Sequence, residues 1–238
     1  GTFQERGDED VLLLNDGRGG FTSAWADRFT LPTGAPPPGP LDGWGLCAQF
    51  RDVDLDGDPD LYVCNDFHTP DRFWINDGHG HFSLLPAQAQ RRTSYYCMAV
   101  DFADLEGDGD LDFFTADMLS RDHARRKRQM GNMRSTDPET DVFGVQPQVM
   151  QNTLFANRGD GTYAEIAQYA GVKASEWTWS AGFADLDLDG RPDLVTATGM
   201  IHDWMDADLT GQGADTTLES VREKRASFPP LRTRNLVF

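Results

Sequence analysis

Short apolar runs, each preceded by alternating acids and a glycine, set the pattern of this chain. Leu61-Tyr-Val-Cys64, Phe113-Phe-Thr-Ala116 and Leu194-Val-Thr-Ala197 read as short strands. Before them stand Phe50-Arg-Asp-Val-Asp-Leu-Asp-Gly-Asp-Pro-Asp60, Phe102-Ala-Asp-Leu-Glu-Gly-Asp-Gly-Asp-Leu-Asp112 and Phe183-Ala-Asp-Leu-Asp-Leu-Asp-Gly-Arg-Pro-Asp193. An aromatic residue precedes the first Asp of each segment at one fixed distance: Trp44, Tyr96 and Trp177. A second motif alternates with the first, as Leu14-Asn-Asp-Gly-Arg-Gly-Gly-Phe21, Ile75-Asn-Asp-Gly-His-Gly-His-Phe82 and Ala156-Asn-Arg-Gly-Asp-Gly-Thr-Tyr163. Apolar residues flank a turn rich in Asn and Gly, which predicts a tight hairpin whose Gly, Asn and Asp adopt positive φ.

The repeating unit is therefore hairpin, connection, strand, acidic loop, strand. Units fall at about residues 10–66, 67–117 and 150–200 of a single domain covering 1–238. Several short strands per unit predict an all-β fold, a β-propeller. Propellers close with ~4–8 blades, so three units predict an incomplete arc of a larger ring. Asn235-Leu-Val-Phe238 repeats the pattern of Asn152-Thr-Leu-Phe155, as if a further hairpin began there. Such an arc would leave apolar faces for missing blades or other chains to cover. Thr30–Pro40 is a proline-rich irregular loop. Residues 118–149 are an insertion and 203–238 a polar tail, with a short helix expected near Leu218–Arg225. The basic run in 121–134 reads as a solvated helix packing its Met and Leu residues on an acidic blade face, with a polyanion patch as the alternative.

The acidic loops carry the chemistry. Calcium takes ~6–8 oxygen ligands, and a nine-residue loop can supply most of them. Side chains at positions 1, 3, 5 and 9 face the ion, position 6 is a Gly that permits the turn, and position 7 offers its carbonyl. The first loop would use Asp52, Asp54, Asp56 and Asp60 with the Asp58 carbonyl. The second would use Asp104, Glu106, Asp108 and Asp112 with the Asp110 carbonyl. The third would use Asp185, Asp187, Asp189 and Asp193 with the Arg191 carbonyl. This makes about three Ca²⁺ sites, with Glu106 the departure from pattern. The alternative is a set of solvated Asp-rich turns, but clustered carboxylates repel one another unless a cation sits among them. Magnesium suits the loops less, because it demands octahedral geometry and keeps its water.

These loops resemble FG-GAP (VCBS-type) repeats, the blades of the integrin α-subunit propeller. The pairing of Asn152–Tyr163 with Trp177–Gly190 is similar to the ASPIC/UnbV (cartilage acidic protein-like) group. The resemblance spans about residues 10–200. It implies a calcium-binding propeller serving adhesion, secretion or display.

Composition narrows the function. The chain of 238 residues has 39 acidic and 21 basic residues, a formal net charge of −18. That argues against nucleic acid, which needs clustered cations. It suits an extracellular or periplasmic, cation-loaded surface. No run is long and apolar enough to span a membrane. Cys47, Cys64 and Cys97 read as small buried strand residues, with a single disulfide as the alternative. His68, His79, His81, His123 and His202 lack zinc spacing and are expected at the surface. No Gly-x-Ser-x-Gly elbow or phosphate loop is present, and acids pair only inside the metal loops. The expected class is therefore a non-enzymatic binding or scaffold module with a protein or glycan ligand. Recognition of carbohydrate or an adhesion ligand, through loops Asn65–Pro70, Asp117–Arg121 and Gly199–Trp204, is the first alternative. A non-catalytic part of a secreted enzyme is the second. Trp44 and Trp177 are expected to pack between blades.

Overall fold

The computed structural model describes residues 7–24, 28–37, 42–67, 69–129, 146–210 and 218–238. His68, the middle of the insertion and part of the polar tail lie outside the described residues. β1 (Leu13–Asn15) and β2 (Phe21–Ser23) form a lone hairpin, and β3 (Phe29–Thr30) follows it. The first blade is β4 (Gly45–Arg51), β5 (Asp60–Asn65), β6 (Arg72–Asn76) and β7 (Phe82–Leu84), antiparallel throughout, with β3 added parallel to β7. The second is β8 (Ala99–Ala103), β9 (Asp112–Ala116), β10 (Thr153–Asn157) and β11 (Tyr163–Glu165). The third is β12 (Thr178–Ala184), β13 (Asp193–Thr198) and β14 (Leu236–Val237). The fold is all-β, with few short helices, and the described strands form an open arc and not a closed ring.

Sequence units and blades are out of phase. A unit begins with a hairpin, whereas a sheet ends with one. The unit at 67–117 thus gives β6 and β7 to one blade and β8 and β9 to the next. Each covalent unit ties two blades together.

The strand pattern explains the layering. Successive side chains of a strand point to opposite faces. Tyr62 and Cys64 face the second blade, where they join Phe73, Phe102, Phe113, Phe155 and Tyr163 in one core. Leu61 and Val63 face the other way, onto Phe29, Trp74 and Phe82. Phe114 and Leu154 in turn meet Leu194 of the third blade. Because both faces are covered, β5 and β9 are buried along their whole length, as sandwiched strands require. At the flanks of the arc the apolar surface is open: Leu13 and Phe21 lie exposed on the lone hairpin, and Trp179 and Leu188 on the third blade.

The first strands line up side by side, and Asp101 on β8 links them. Its carboxylate accepts from Gln49 Nε2 of β4 at 3.2 Å and from the Phe183 N–H of β12 at 2.7 Å. Cys47 and Cys64 lie opposite each other in register and are free thiols, as is Cys97. Cys64 and Cys97 are buried and Cys47 is half-buried. Trp177 packs on the cluster of Tyr95, Tyr96, Met118 and Met205, and Trp44 meets Phe67 edge-on at 5.4 Å.

The insertion forms α1 (His123–Arg128), capped by Asp122, whose carboxylate accepts from Arg125 N–H. None of its residues is buried. It docks through charge, and Met130 and Met133, whose packing the sequence suggested, lie outside the described residues. Arg125 reaches Glu176 at 2.6 Å and Asp203 at 2.9 Å, and Arg128 reaches Asp206 at 3.2 Å. A helix spans Leu218–Ser227, close to its expected place in the tail.

A clip closes the far end of each second strand. The side chain opening the third strand accepts a backbone N–H there: Asp71 from Asn65 at 2.9 Å, Asn152 from Asp117 at 2.8 Å, Asn235 from Thr198 at 2.9 Å. Asp71 alone of the three carries a charge. Burial pushes its carboxyl up to about 7, and the bonds from Asn65 N–H and Tyr62 hydroxyl offset this only in part. The folded value lies above the ordinary 3.8. Below that ordinary value the two states bind protons alike. Between the two values the fold binds more protons than the unfolded chain, so its stability falls as pH rises towards about 7. Asp71→Asn keeps the acceptor that the other two blades use and removes the charge. It should raise the melting temperature by several degrees at pH ~8 and change it little at pH ~4. Thermal unfolding at both pH values checks this; an equal effect at both would sink it.

Candidate metal centre

Each acidic loop joins the first strand of a blade to the second, so its last Asp already belongs to that second strand, which is buried throughout in the first two blades. Asp60 is 1% exposed and Asp112 is 2% exposed. Each is held twice. Asp60 Oδ2 accepts from Val53 N–H at 2.9 Å and Oδ1 from Asn76 N–H at 2.8 Å. Asp112 repeats this with Leu105 N–H at 2.9 Å and Asn157 N–H at 2.8 Å. Asp193 accepts from Leu186 N–H at 2.9 Å. The first Asp binds the backbone of the turn: Asp52 accepts from Gly57 N–H, Asp104 from Gly107, Asp108 and Gly109, and Asp185 from Asp189 and Gly190.

The turn needs two positive φ values. Position 6 takes one, at Gly57, Gly109 and Gly190 with φ of 98°, 94° and 87°, as the sequence pattern requires. Position 4 takes the other, which the sequence reading missed: Leu55 at 61°, Gly107 at 76° and Leu188 at 62°. A leucine there is strained. The second loop avoids that strain by placing a glycine at position 4.

Carboxylate oxygens of Asp52, Asp54 and Asp60 lie within 4.8 Å of one another, and those of Asp185, Asp187 and Asp193 do the same. Burial raises the Asp54 carboxyl, and its neighbours Asp56 and Asp52 add to the rise. Burial pushes Asp60 up to about 6, against its two backbone donors. Asp52 Oδ1 is buried without a hydrogen-bond partner among the described residues. A cation seated among these three carboxylates would meet that orphaned oxygen and offset the repulsion. The donor set, oxygens alone, fits a hard divalent ion.

Other residues of the predicted sets stand differently. Asp56 and Asp189 lie outside these triads, and each caps the N–H at position 7, of Asp58 and Arg191, at 3.0 and 2.9 Å. Asp58 turns its carboxylate onto Gly78, where a Cβ would collide with it, and Asp110 lies beside Gly159 in the same way. Asp108 caps the Asp110 N–H at 3.0 Å. In the second loop no such triad forms. There Glu106 is raised first by a carboxyl-to-carboxyl hydrogen bond with Asp112, and burial adds to this. The longer side chain reaches across to its neighbour.

The Asn of the hairpin motif has a role that the sequence reading missed. In these five-residue turns only the glycines take positive φ, for example Gly78 and Gly80, both at 75°. Asn76 instead stitches hairpin to loop. Its Nδ2 donates to the Pro59 carbonyl at 3.0 Å, its Oδ1 accepts from Gly78, and its N–H serves Asp60. Asn157 does the same with Leu111, Gly159 and Asp112. One N–H of the acidic loop and one of the hairpin thus close around one carboxylate.

This repeated blade, with its acidic loop locked to its own hairpin, defines a β-propeller-type repeat protein. A family model for the FG-GAP-like repeat matches residues 52–115 and 136–196, more than half of the chain, and the chain belongs to that family. Each matched stretch crosses from one blade into the next, in keeping with the phase offset. A search of curated proteins finds no match.

Removing the stitch should loosen the blade. Asn76→Ala and Asn157→Ala each leave a carbonyl and a turn N–H without their bonds, which should cost ~1–3 kcal/mol. Asn15→Ala, whose side chain is bonded only to Gly17 N–H among the described residues, should cost clearly less. Urea unfolding of the three variants decides; equal losses would show that the stitch contributes nothing.

Proposed function

We propose that this protein is a calcium-stabilised propeller module that binds or scaffolds a ligand outside the cytoplasm and carries out no catalysis itself. The observation that supports this most directly is the pair of carboxylate triads, with Asp52 Oδ1 buried and unsatisfied in the first. Membership of the FG-GAP-like repeat family supports the module class. Among the described residues no helix is long and apolar enough to cross a membrane. The first and third loops bind most tightly, because their three carboxylates already converge. The second binds weakly, because Glu106 is engaged with Asp112. The open flanks suit association with further blades or other chains.

Calcium in this reading is structural. Extracellular modules bind it with dissociation constants of ~0.1–1 mM. At about 1 mM free ion, two such sites would stabilise the fold by roughly 1–3 kcal/mol. Cytosolic calcium would be too low to fill them, which argues for an extracellular or periplasmic setting.

Chelation should lower the melting temperature, and Asp52→Ala or Asp185→Ala should each reproduce part of the loss. Calorimetric titration should find one site fewer in each variant. Glu106→Asp should tighten the weak site. A melting curve unmoved by chelator, after verified metal removal, would refute the structural role of calcium.

A further inference from the structure

Arginines from two distant parts of the chain meet at the third blade. Arg121, Arg125, Arg232 and Arg234 line an open cleft of about 600 Å³, with Asp122 and Glu176 the acids in its wall. The cleft lies at the end of β13 away from its acidic loop, where Thr198 bonds Asn235 and Thr233. It is therefore independent of the calcium reading.

In a chain with 39 acids and 21 basic residues, a cation ordinarily finds an acidic partner. Arg125 does so, held by Glu176 and Asp203. Asp122 is occupied with the α1 cap. Arg121, Arg232 and Arg234 have no carboxylate within ion-pair distance among the described residues. Gathering three unpaired guanidiniums in one concavity costs energy through mutual repulsion. The wall is also built with strain. Glu176 sits at φ 69°, a left-handed conformation that side chains rarely adopt. From there it accepts from Ser120 hydroxyl, Arg121 N–H and Arg125, which seats the insertion against the blade. The Arg121 guanidinium lies 5.9 Å from the Phe238 ring centre, a cation–π contact that orients it.

We propose that this cleft is a binding site for a small ligand bearing an oxyanion group, a carboxylate or a sulfate. Guanidinium forks match such groups with paired, charge-assisted hydrogen bonds. The volume suits a monosaccharide-sized molecule, since ligand pockets run ~300–1,000 Å³. The ligand is small, because the arginines converge on one cleft of about 600 Å³.

The test is calorimetric titration of the folded chain with glucuronate and with sodium sulfate, at constant ionic strength against sodium chloride. Saturable binding of at least one probe in the millimolar range is expected. Glucuronate alone would assign a carboxylate ligand, and sulfate alone a sulfate ester. The double variant Arg232→Ala/Arg234→Ala should weaken binding about tenfold or more. Its melting temperature should not fall, because neither side chain supports the fold by a hydrogen bond or ion pair among the described residues and removing them relieves repulsion in the cleft. Arg232→Lys/Arg234→Lys should recover only part of the affinity, since an ammonium cannot make the paired contact. Absence of saturable binding of both probes at tens of millimolar, or unaltered binding by the alanine variant, would overturn the proposal.

Discussion

Asp60 and Asp112 are each buried where a loop, a strand and a hairpin meet, and each accepts one N–H from the loop and one from the hairpin Asn. Much of each blade depends on that position. A buried carboxylate must be satisfied or it destabilises the fold. Both oxygens are used, so neither the loop nor the hairpin can shift without leaving an acceptor or a donor exposed. The carboxylate also begins the second strand, whose faces supply the cores on both sides of the blade. Local polar geometry and interblade packing are thereby coupled through one residue per blade.

That arrangement carries an electrostatic cost. Two N–H donors favour the charged form of Asp60, yet burial still pushes its carboxyl up to about 6. Asp54 is also raised. Burial and the neighbouring carboxylates thus disfavour the charged forms of Asp54 and Asp60 in the first loop. In the second loop it is the neighbouring Asp112, and then burial, that raise the Glu106 carboxyl. In the proposed reading, calcium offsets that cost in the two loops whose three carboxylates converge.

Much of this was legible in the sequence because the relevant residues are contiguous. Nine residues hold a complete acidic loop, and the apolar run that follows is a strand from its first residue. The glycine at position 6 announced its own backbone conformation. What was illegible depended on pairing. The Asn of the hairpin looked like a turn former, and only the sheet register puts it beside the Asp60 carboxylate. Leucine hides the left-handed position 4, because nothing in its chemistry signals positive φ. The strand-end clip uses Asp71, Asn152 and Asn235, whose equivalence appears once β6, β10 and β14 are aligned on their partners. The phase offset between unit and blade likewise has no local signature.

The insertion shows how topology, and not local pattern, creates charge chemistry. Read alone, His123–Arg128 is a run of cations with no apolar face. In the fold, Arg125 and Arg128 meet acids carried by the third blade and the tail, so half the run is neutralised and serves as a fastener. The same docking brings Arg121 towards Arg232 and Arg234. Neutralising Arg125 there is what makes the gathering tolerable: Glu176 spreads negative potential under the cleft while leaving the outer guanidiniums unpaired. An acidic protein can in this way keep one positive concavity.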